Sequence, residues 1–360
     1  MNDRERYLAL MNFQYFDRFP LWPGGAWDET LIRWHKEGLP QNQTVDEYFK
    51  ADKKKEIPVS FGMYPCFERQ VISQDGNTRI VRAETGIIQK EKVVFSDFTM
   101  PQFLEYPIKN RADFEKIKER YNFQDEGRIG PEFGTIVNDG SDRDYVLILN
   151  GGRDISFFGA LREWCGIENL SLLFYDDPEL VHDMMEFILN FCISLLSKIL
   201  SLVVPDVVWA WEDMAYKNAS LISPDMFSEF MLPCYQKLTE TIKSFGVNHV
   251  FVDSDGNIEG LIDLWLKGGV DGVFPIERQC GMDPIKLRKE YGSQLLMYGG
   301  INKNILALDR QHIYEEVMPK LEFFAANGSG YIPMADHGIP PNVPFENYAY
   351  MIELIKGFRV

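Results

Sequence analysis

A single (β/α)8 barrel, with a β-hairpin inserted after its second strand, is the fold this sequence predicts. Three observations carry the prediction. Eight short apolar runs recur along the 360 residues, with helical stretches between them. The central runs, such as VLIL, VVWAW and VFV, are apolar on both faces, as in a parallel sheet covered by helices. No repeat, low-complexity tract or Ser/Gly linker divides the chain, so residues 1–360 read as one domain. A doubly wound open sheet is the competing arrangement, but no Gly-x-Gly-x-x-Gly follows the first strand.

In chain order the runs are residues 18–22, 57–62, 145–150, 206–211, 249–253, 272–275, 295–299 and 330–333. Helices between them are announced by caps. Ser223-Pro224 and Asp283-Pro284 each set an N-cap residue before a proline at the first helical position. Gly246 and Gly292 stand where those helices should stop. Residues 76–95 alternate polar and apolar side chains around Glu84-Thr85-Gly86, the pattern of a hairpin placed as a flap over the barrel mouth. Residues 97–144 form a long charged connection with one helix, over 112–121. Together, residues 76–144 read as a lid insertion.

Residues 187–204, FILNFCISLLSKILSLVV, have the length of a membrane span. Asn190, Ser194, Ser197, Lys198 and Ser201 nevertheless recur along one helical stripe, so the segment reads as a helix packed on one side. Fifty-four acidic residues against thirty-seven basic ones leave a formal charge of -17, which disfavours nucleic acid and anionic lipid as partners. Five dispersed cysteines without a Cys-x-x-Cys argue against a disulfide framework and a zinc ribbon. Charges in MNDRERYLALMNFQYFDRFP occupy the place of a signal peptide's apolar run, so a cytoplasmic protein is expected.

In barrels the chemistry sits on the loops that follow the strands. Those positions hold Arg153 after the third run, Glu212 and Asp213 after the fourth, and Asp253 and Asp255 after the fifth. Glu277 and Arg278 follow the sixth, Lys303 the seventh, and Asp336 and His337 the eighth. Each also has a plain structural reading. Glu212-Asp213 could cap a helix, and Asp253-Ser-Asp255-Gly could be a turn. The latter lacks the glutamate that a calcium loop carries at its twelfth position. An i, i+2 pair leaving a strand aims both carboxylates the same way, which favours chemistry for Asp253 and Asp255. Of the five histidines, His35, His182 and His312 lie in charged helical runs and His249 opens a strand. That leaves His337, set between turn-rich segments.

The stretches SPDMFSEFMLPCYQKL (223–238), VDSDGN (252–257), YGGINKNIL (298–306) and HGIPPNVPFEN (337–347) resemble the uroporphyrinogen decarboxylase-like superfamily. The opening ERYLALMNFQYFDRFPLW is similar to that family's start. The resemblance implies a (β/α)8 barrel and either of two activities, haem-pathway decarboxylation or corrinoid- or thiol-dependent methyl transfer. The decarboxylase holds its polycarboxylate substrate with an Arg-Gln-Ala-Gly-Arg signature. Here that region reads LWPGGAWDETL, with no arginine between Arg18 and Arg33, and an acidic mouth would repel such a substrate.

The methyltransferase branch binds zinc through a His-x-Cys after the fifth strand and a Cys after the eighth. Asp253-x-Asp255 and His337 fall at those places, so the resemblance implies a divalent metal on oxygen and nitrogen ligands. Zinc is first among the candidates, with manganese or iron compatible. The expected activity is methyl transfer from a small methylated donor, such as an O-methyl compound, to a corrinoid protein. Glu212, Asp213 and Glu277 would serve as proton-transfer groups. Trp22, Arg153, Arg278, Lys303 and Asp336 would bind substrate. Two alternatives stand beside it: a decarboxylase or lyase acting on a smaller acid, and a non-catalytic binding protein on the same fold.

Overall fold

The computed structural model describes residues 1–93 and 100–360. Its strands are β1 (Lys54–Glu56), β2 (Gln70–Asp75), β3 (Thr78–Arg82), β4 (Ile88–Lys92), β5 (Gln102–Glu105), β6 (Val146–Asn150), β7 (Val207–Trp211), β8 (His249–Asp253), β9 (Gly272–Phe274), β10 (Leu296–Ile301) and β11 (Tyr331–Ala335). Seven make one sheet in the order β1-β6-β7-β8-β9-β10-β11, every neighbour parallel. The sheet is curled. Trp209 on β7 and Tyr298 on β10 lie three strands apart, about 14 Å along a flat sheet, yet their ring centroids are 6.1 Å apart.

Eight strands were expected, and seven form the ladder among the described residues. The first run, 18–22, stays outside it because Pro20 has no N–H to donate and Pro23 follows directly. It still spans the gap between the edge strands. The Asp52 N–H, just before β1, donates to the Leu21 carbonyl at 3.0 Å, and Ala26 bridges to Ile339 beyond β11. The second strand also comes earlier than its apolar run. It ends at Glu56, because Pro58 cannot extend the ladder.

The capping logic is visible in the geometry. Ser223 accepts from the Met226 N–H, and Asp283 from those of Ile285 and Lys286. Gly246 and Gly292 take left-handed φ values of 93° and 58° where their helices end. The helix Pro178–Leu200 buries Met184, Ile188, Leu195 and Ile199, while Asn190 and Ser201 are exposed. It packs against the helices Ile167–Asp176 and Leu232–Ser244, the one-sided burial that its polar stripe implies.

The strands β2 to β5 form a separate antiparallel sheet in that order. β3 and β4 are joined through the 83–87 turn, where the Gly86 N–H donates to the Ala83 carbonyl. The last two residues of the expected hairpin, Val94 and Phe95, lie outside the described residues, as do 97–99 of the expected long connection. Beyond those, the connection carries helices at Arg111–Lys118 and Phe133–Asp139.

Candidate functional site

Side chains two apart on a strand share a face. Trp209, Phe251, Phe274 and Tyr298 therefore face the inside of the curl from four successive strands. Trp22 joins them, stacked on Tyr7 at 5.3 Å and edge-on to Tyr298 and Trp209 at 5.7 and 6.3 Å. Phe251 stacks on Tyr298 at 4.1 Å. Gly272 makes this packing possible, since a Cβ there would lie 2.2 Å from the Phe251 ring. Two residues further along, the same face carries Trp211 and Asp253, paired in register at the C-terminal rim. The mouth is thus an aromatic floor beneath a polar rim.

On that rim the carboxylates of Asp213, Asp253 and Asp255 each offer an oxygen within 4.8 Å of the other two. The Asp255 N–H lies 3.4 Å from Asp213 Oδ1. His337 Nε2 stands 3.3 Å from Asp255 Oδ2. Arg153 holds Asp213 from behind: one guanidinium nitrogen is 2.6 Å from its carboxylate and another 3.0 Å from Glu163. The same guanidinium lies 3.7 Å over the Trp211 ring. Arg162 adds a bond of 2.5 Å to the Asp213 carbonyl. Asp213 has φ +46°, a conformation disfavoured for a residue with a side chain, and the two arginines hold it there.

The electrostatics follow from this crowding. Burial, then the charges of Asp213 and Asp255, push the Asp253 carboxyl well above the usual carboxylate range. The hydrogen bond to Asp255 raises the His337 imidazole, against the opposing effects of burial and of the nearby Lys303 ammonium. Three mutually repelling carboxylates with an imidazole beside them are a donor set for a hard or borderline divalent cation. A thiolate is not part of it. Cys280 donates to Glu277 at 3.2 Å, and burial together with that carboxylate pushes its thiol up to about 12. The three carboxylates fit a divalent metal on oxygen; His337, expected as a ligand with Asp253 and Asp255, reaches Asp255 but is not among the side chains whose ligand atoms converge.

Other residues expected at the site stand apart from this group. Glu212, expected to transfer protons, is fully buried. Its carboxylate accepts from the N–H groups of Phe157 at 3.0 Å and Gly159 at 2.7 Å, and from the Tyr235 hydroxyl. The reason is alternation: Trp211 faces the mouth, so its successor faces the helix layer. Glu212 anchors the start of the helix Phe158–Cys165, which comes so close that a Cβ on Gly159 would lie 2.4 Å from the Trp211 carbonyl oxygen.

Asp336, expected to bind substrate, is also fully buried. It accepts from the N–H groups of Arg278 and Lys303 and so ties two loops together. Arg278 donates to the Met282 carbonyl and to Asp283, which occupies the guanidinium expected to hold substrate. Glu277 accepts from the Gly256 N–H and steadies the turn behind Asp255. Trp22 is buried in the floor rather than lining an open wall.

Asp213, expected to transfer protons beside Glu212, instead joins Asp253 and Asp255. Missed altogether were Trp209 and Trp211, which build the mouth. The Trp-x-Trp spacing in VVWAW was the available signal, since period 2 puts both rings on one face.

The family model described as Uroporphyrinogen decarboxylase (URO-D) matches residues 91–358. Among curated relatives, Uroporphyrinogen decarboxylase 2, chloroplastic, of Oryza sativa is 26% identical over 141 residues, which are 39% of this chain and 35% of that protein. The chloroplastic uroporphyrinogen decarboxylase of Nicotiana tabacum is 21% identical over 263 residues, 70% of this chain and 63% of that one. The alignments to the first two relatives thus span only 35% and 41% of those proteins. Among solved structures, a methyltransferase from Methanosarcina mazei superposes with a TM-score of 0.66 at 14% identity, covering 99% of each chain, which is a likeness of fold.

Proposed function

The chain belongs to the uroporphyrinogen decarboxylase (URO-D) family, and from that premise we propose a metal-dependent methyltransferase. It takes a methyl group from a small methylated donor of the O-methyl class and passes it to a corrinoid carried by a partner protein. The closed (β/α)8 reading of the fold, with the antiparallel sheet as its insertion, and a cytoplasmic setting go with this proposal.

One observation carries it: Asp213, Asp253 and Asp255 converge within 4.8 Å above an aromatic floor, with His337 on Asp255. Those four side chains would hold a divalent metal, zinc first among the candidates. When bound, the metal supplies Lewis acidity toward the donor's heteroatom. The chain's own residues do the rest. Arg153 fixes Asp213 in its left-handed conformation and covers Trp211, so the cluster is set before any donor arrives. Trp209, Trp211 and Phe274 offer apolar faces to the donor's carbon skeleton and exclude water around it.

The arginines argue against carboxylate chemistry. Arg153 and Arg278, the candidates for gripping a substrate acid, are tied to Asp213, Glu163 and Asp283. Neither guanidinium is left free to grip a substrate acid.

The test loads purified protein with zinc, manganese or iron and measures bound metal by elemental analysis. Methyl transfer from O-methyl aromatic donors to free cob(I)alamin is then followed by absorbance. One metal per chain is expected, with His337→Ala lowering occupancy while circular dichroism stays native. Absence of metal binding in the wild type, or occupancy that His337→Ala leaves unchanged, would refute the ligand set. Absence of methyl transfer with the metal bound would refute the activity.

A further inference from the structure

Below the turn that joins β3 to β4 lies a cavity of about 180 Å³, bordered by Gly62, Glu84, Tyr121, Asp154, Glu163 and Trp164. We propose that it is a binding site for a small organic ammonium ion, separate from the mouth.

Asp154 is the starting point. It sits in the short helix Gly152–Ile155 after β6, partly buried, and borders this cavity. Its carboxylate packs against Gly62 so closely that a Cβ there would be 2.8 Å from Oδ2. No described residue donates a hydrogen bond to it. The nearby cations are committed elsewhere. Arg128 donates to the carbonyls of Ser60, Gly62, Arg120 and Asn122, and Arg153 to Glu163 and Asp213. A partly buried carboxylate without a donor is costly unless something brings the donor or the charge.

The walls specify which kind of charge. Metal ligation needs several donor atoms in mutual reach, and among the described residues only Asp213, Asp253 and Asp255 meet that condition. Tyr121 and Trp164 instead border the space, joined by the bond from Trp164 Nε1 to the Tyr121 hydroxyl at 3.1 Å. Carboxylates beside aromatic rings suit an alkylammonium ion, which gains from both. The size agrees, since an engineered cavity of about 150 Å³ takes benzene. Burial, with Glu163 adding to it, pushes the Asp154 carboxyl up to about 7, while Arg128 and Arg153 oppose the shift. Tyr121, Cys192, Cys66 and Glu84 are the other titratable groups around it. Glu163 shares Arg153 with Asp213, so the cavity is one guanidinium away from the rim cluster.

The experiment titrates full-length protein with tetramethylammonium chloride by calorimetry at pH 8. Sodium chloride serves as the ionic control and tert-butanol as the neutral isostere. Saturable one-to-one binding of the ammonium ion alone is expected, about tenfold weaker at pH 6 as Asp154 takes up a proton. Asp154→Asn should bind more than about thirtyfold more weakly, while Asp253→Asn, altered only at the mouth, should bind like the wild type. Met63 also borders the cavity; should Asp154→Asn fail to fold, Met63→Trp fills the space and must abolish binding. Equal binding of tert-butanol, no saturation above the sodium chloride control, or undiminished binding in the folded cavity variant would overturn the proposal. Loss of binding in Asp253→Asn would move the site to the mouth and overturn it as well.

Discussion

Replacing Glu212 by alanine removes, in one step, the acceptor of two backbone N–H groups and a phenol. The donors are Phe157 at 3.0 Å, Gly159 at 2.7 Å and the Tyr235 hydroxyl, and the carboxylate between them is fully buried. Each buried donor left without a partner costs about 1–3 kcal/mol. Breaking a buried charged network by removing one member typically costs about 3–5 kcal/mol, less than the simple sum because the site relaxes. The expected loss for Glu212→Ala is therefore about 4 kcal/mol, a large share of the roughly 5–15 kcal/mol that holds a domain folded.

Glu212→Gln keeps the volume and one carbonyl oxygen, and Tyr235 can turn its hydroxyl to accept from the amide. One backbone N–H still meets an NH2 group, so about 1–3 kcal/mol should be lost. The assay is urea unfolding at pH 7 followed by circular dichroism, with methyl-transfer rates normalised to the folded fraction. Suppose Glu212→Ala were within about 1 kcal/mol of the wild type but lost more than about 100-fold in rate, the range of a general acid–base group. The anchoring role would then be wrong, and Glu212 would act in the chemistry.

Pure protein should not convert uroporphyrinogen III to coproporphyrinogen III, because the rim presents three carboxylates and its arginines are engaged; turnover at a rate useful to a cell, seen by porphyrin chromatography, would refute this. Asp17 should shape the acid limb of stability. The hydrogen bond from Arg6 holds its carboxyl at about 2 despite an opposing contribution from burial. A depressed carboxyl stabilises the fold above its ordinary value near 4, and that contribution disappears as pH falls toward 2. The Tm difference between wild type and Asp17→Asn should therefore shrink between pH 4 and pH 2. The side chain is more than a third exposed, so the difference is small, and a gap that stays constant with pH would contradict the assignment.

Much of the fold was legible in the sequence because it rests on local regularities. Period-2 and both-face apolar runs mark parallel strands, caps mark helix ends, and a polar stripe separates a core helix from a membrane span. These signals depend on neighbours a few residues away, which the sequence displays. The Asp253-x-Asp255 spacing belongs to the same class: it brings both carboxylates to one end of β8, where they meet in space.

Tertiary structure decided what depends on distant chain. The run 18–22 has a strand's composition, but whether it joins the ladder depends on two edge strands that offer partners which Pro20 cannot use. Glu212 and Asp213 are adjacent and chemically alike, yet one anchors a helix and the other joins the rim cluster. The left-handed turn at Asp213 and the guanidinium of Arg153, sixty residues earlier, separate them. The Asp154 cavity is built from segments after β1, from the β3–β4 turn and from the helix after β6, so no single stretch of sequence contains it. Strand direction and alternation are local properties. Which acids face each other is set by how the sheet curls, and that curl is fixed only when aromatic rings from strands far apart in sequence pack inside it.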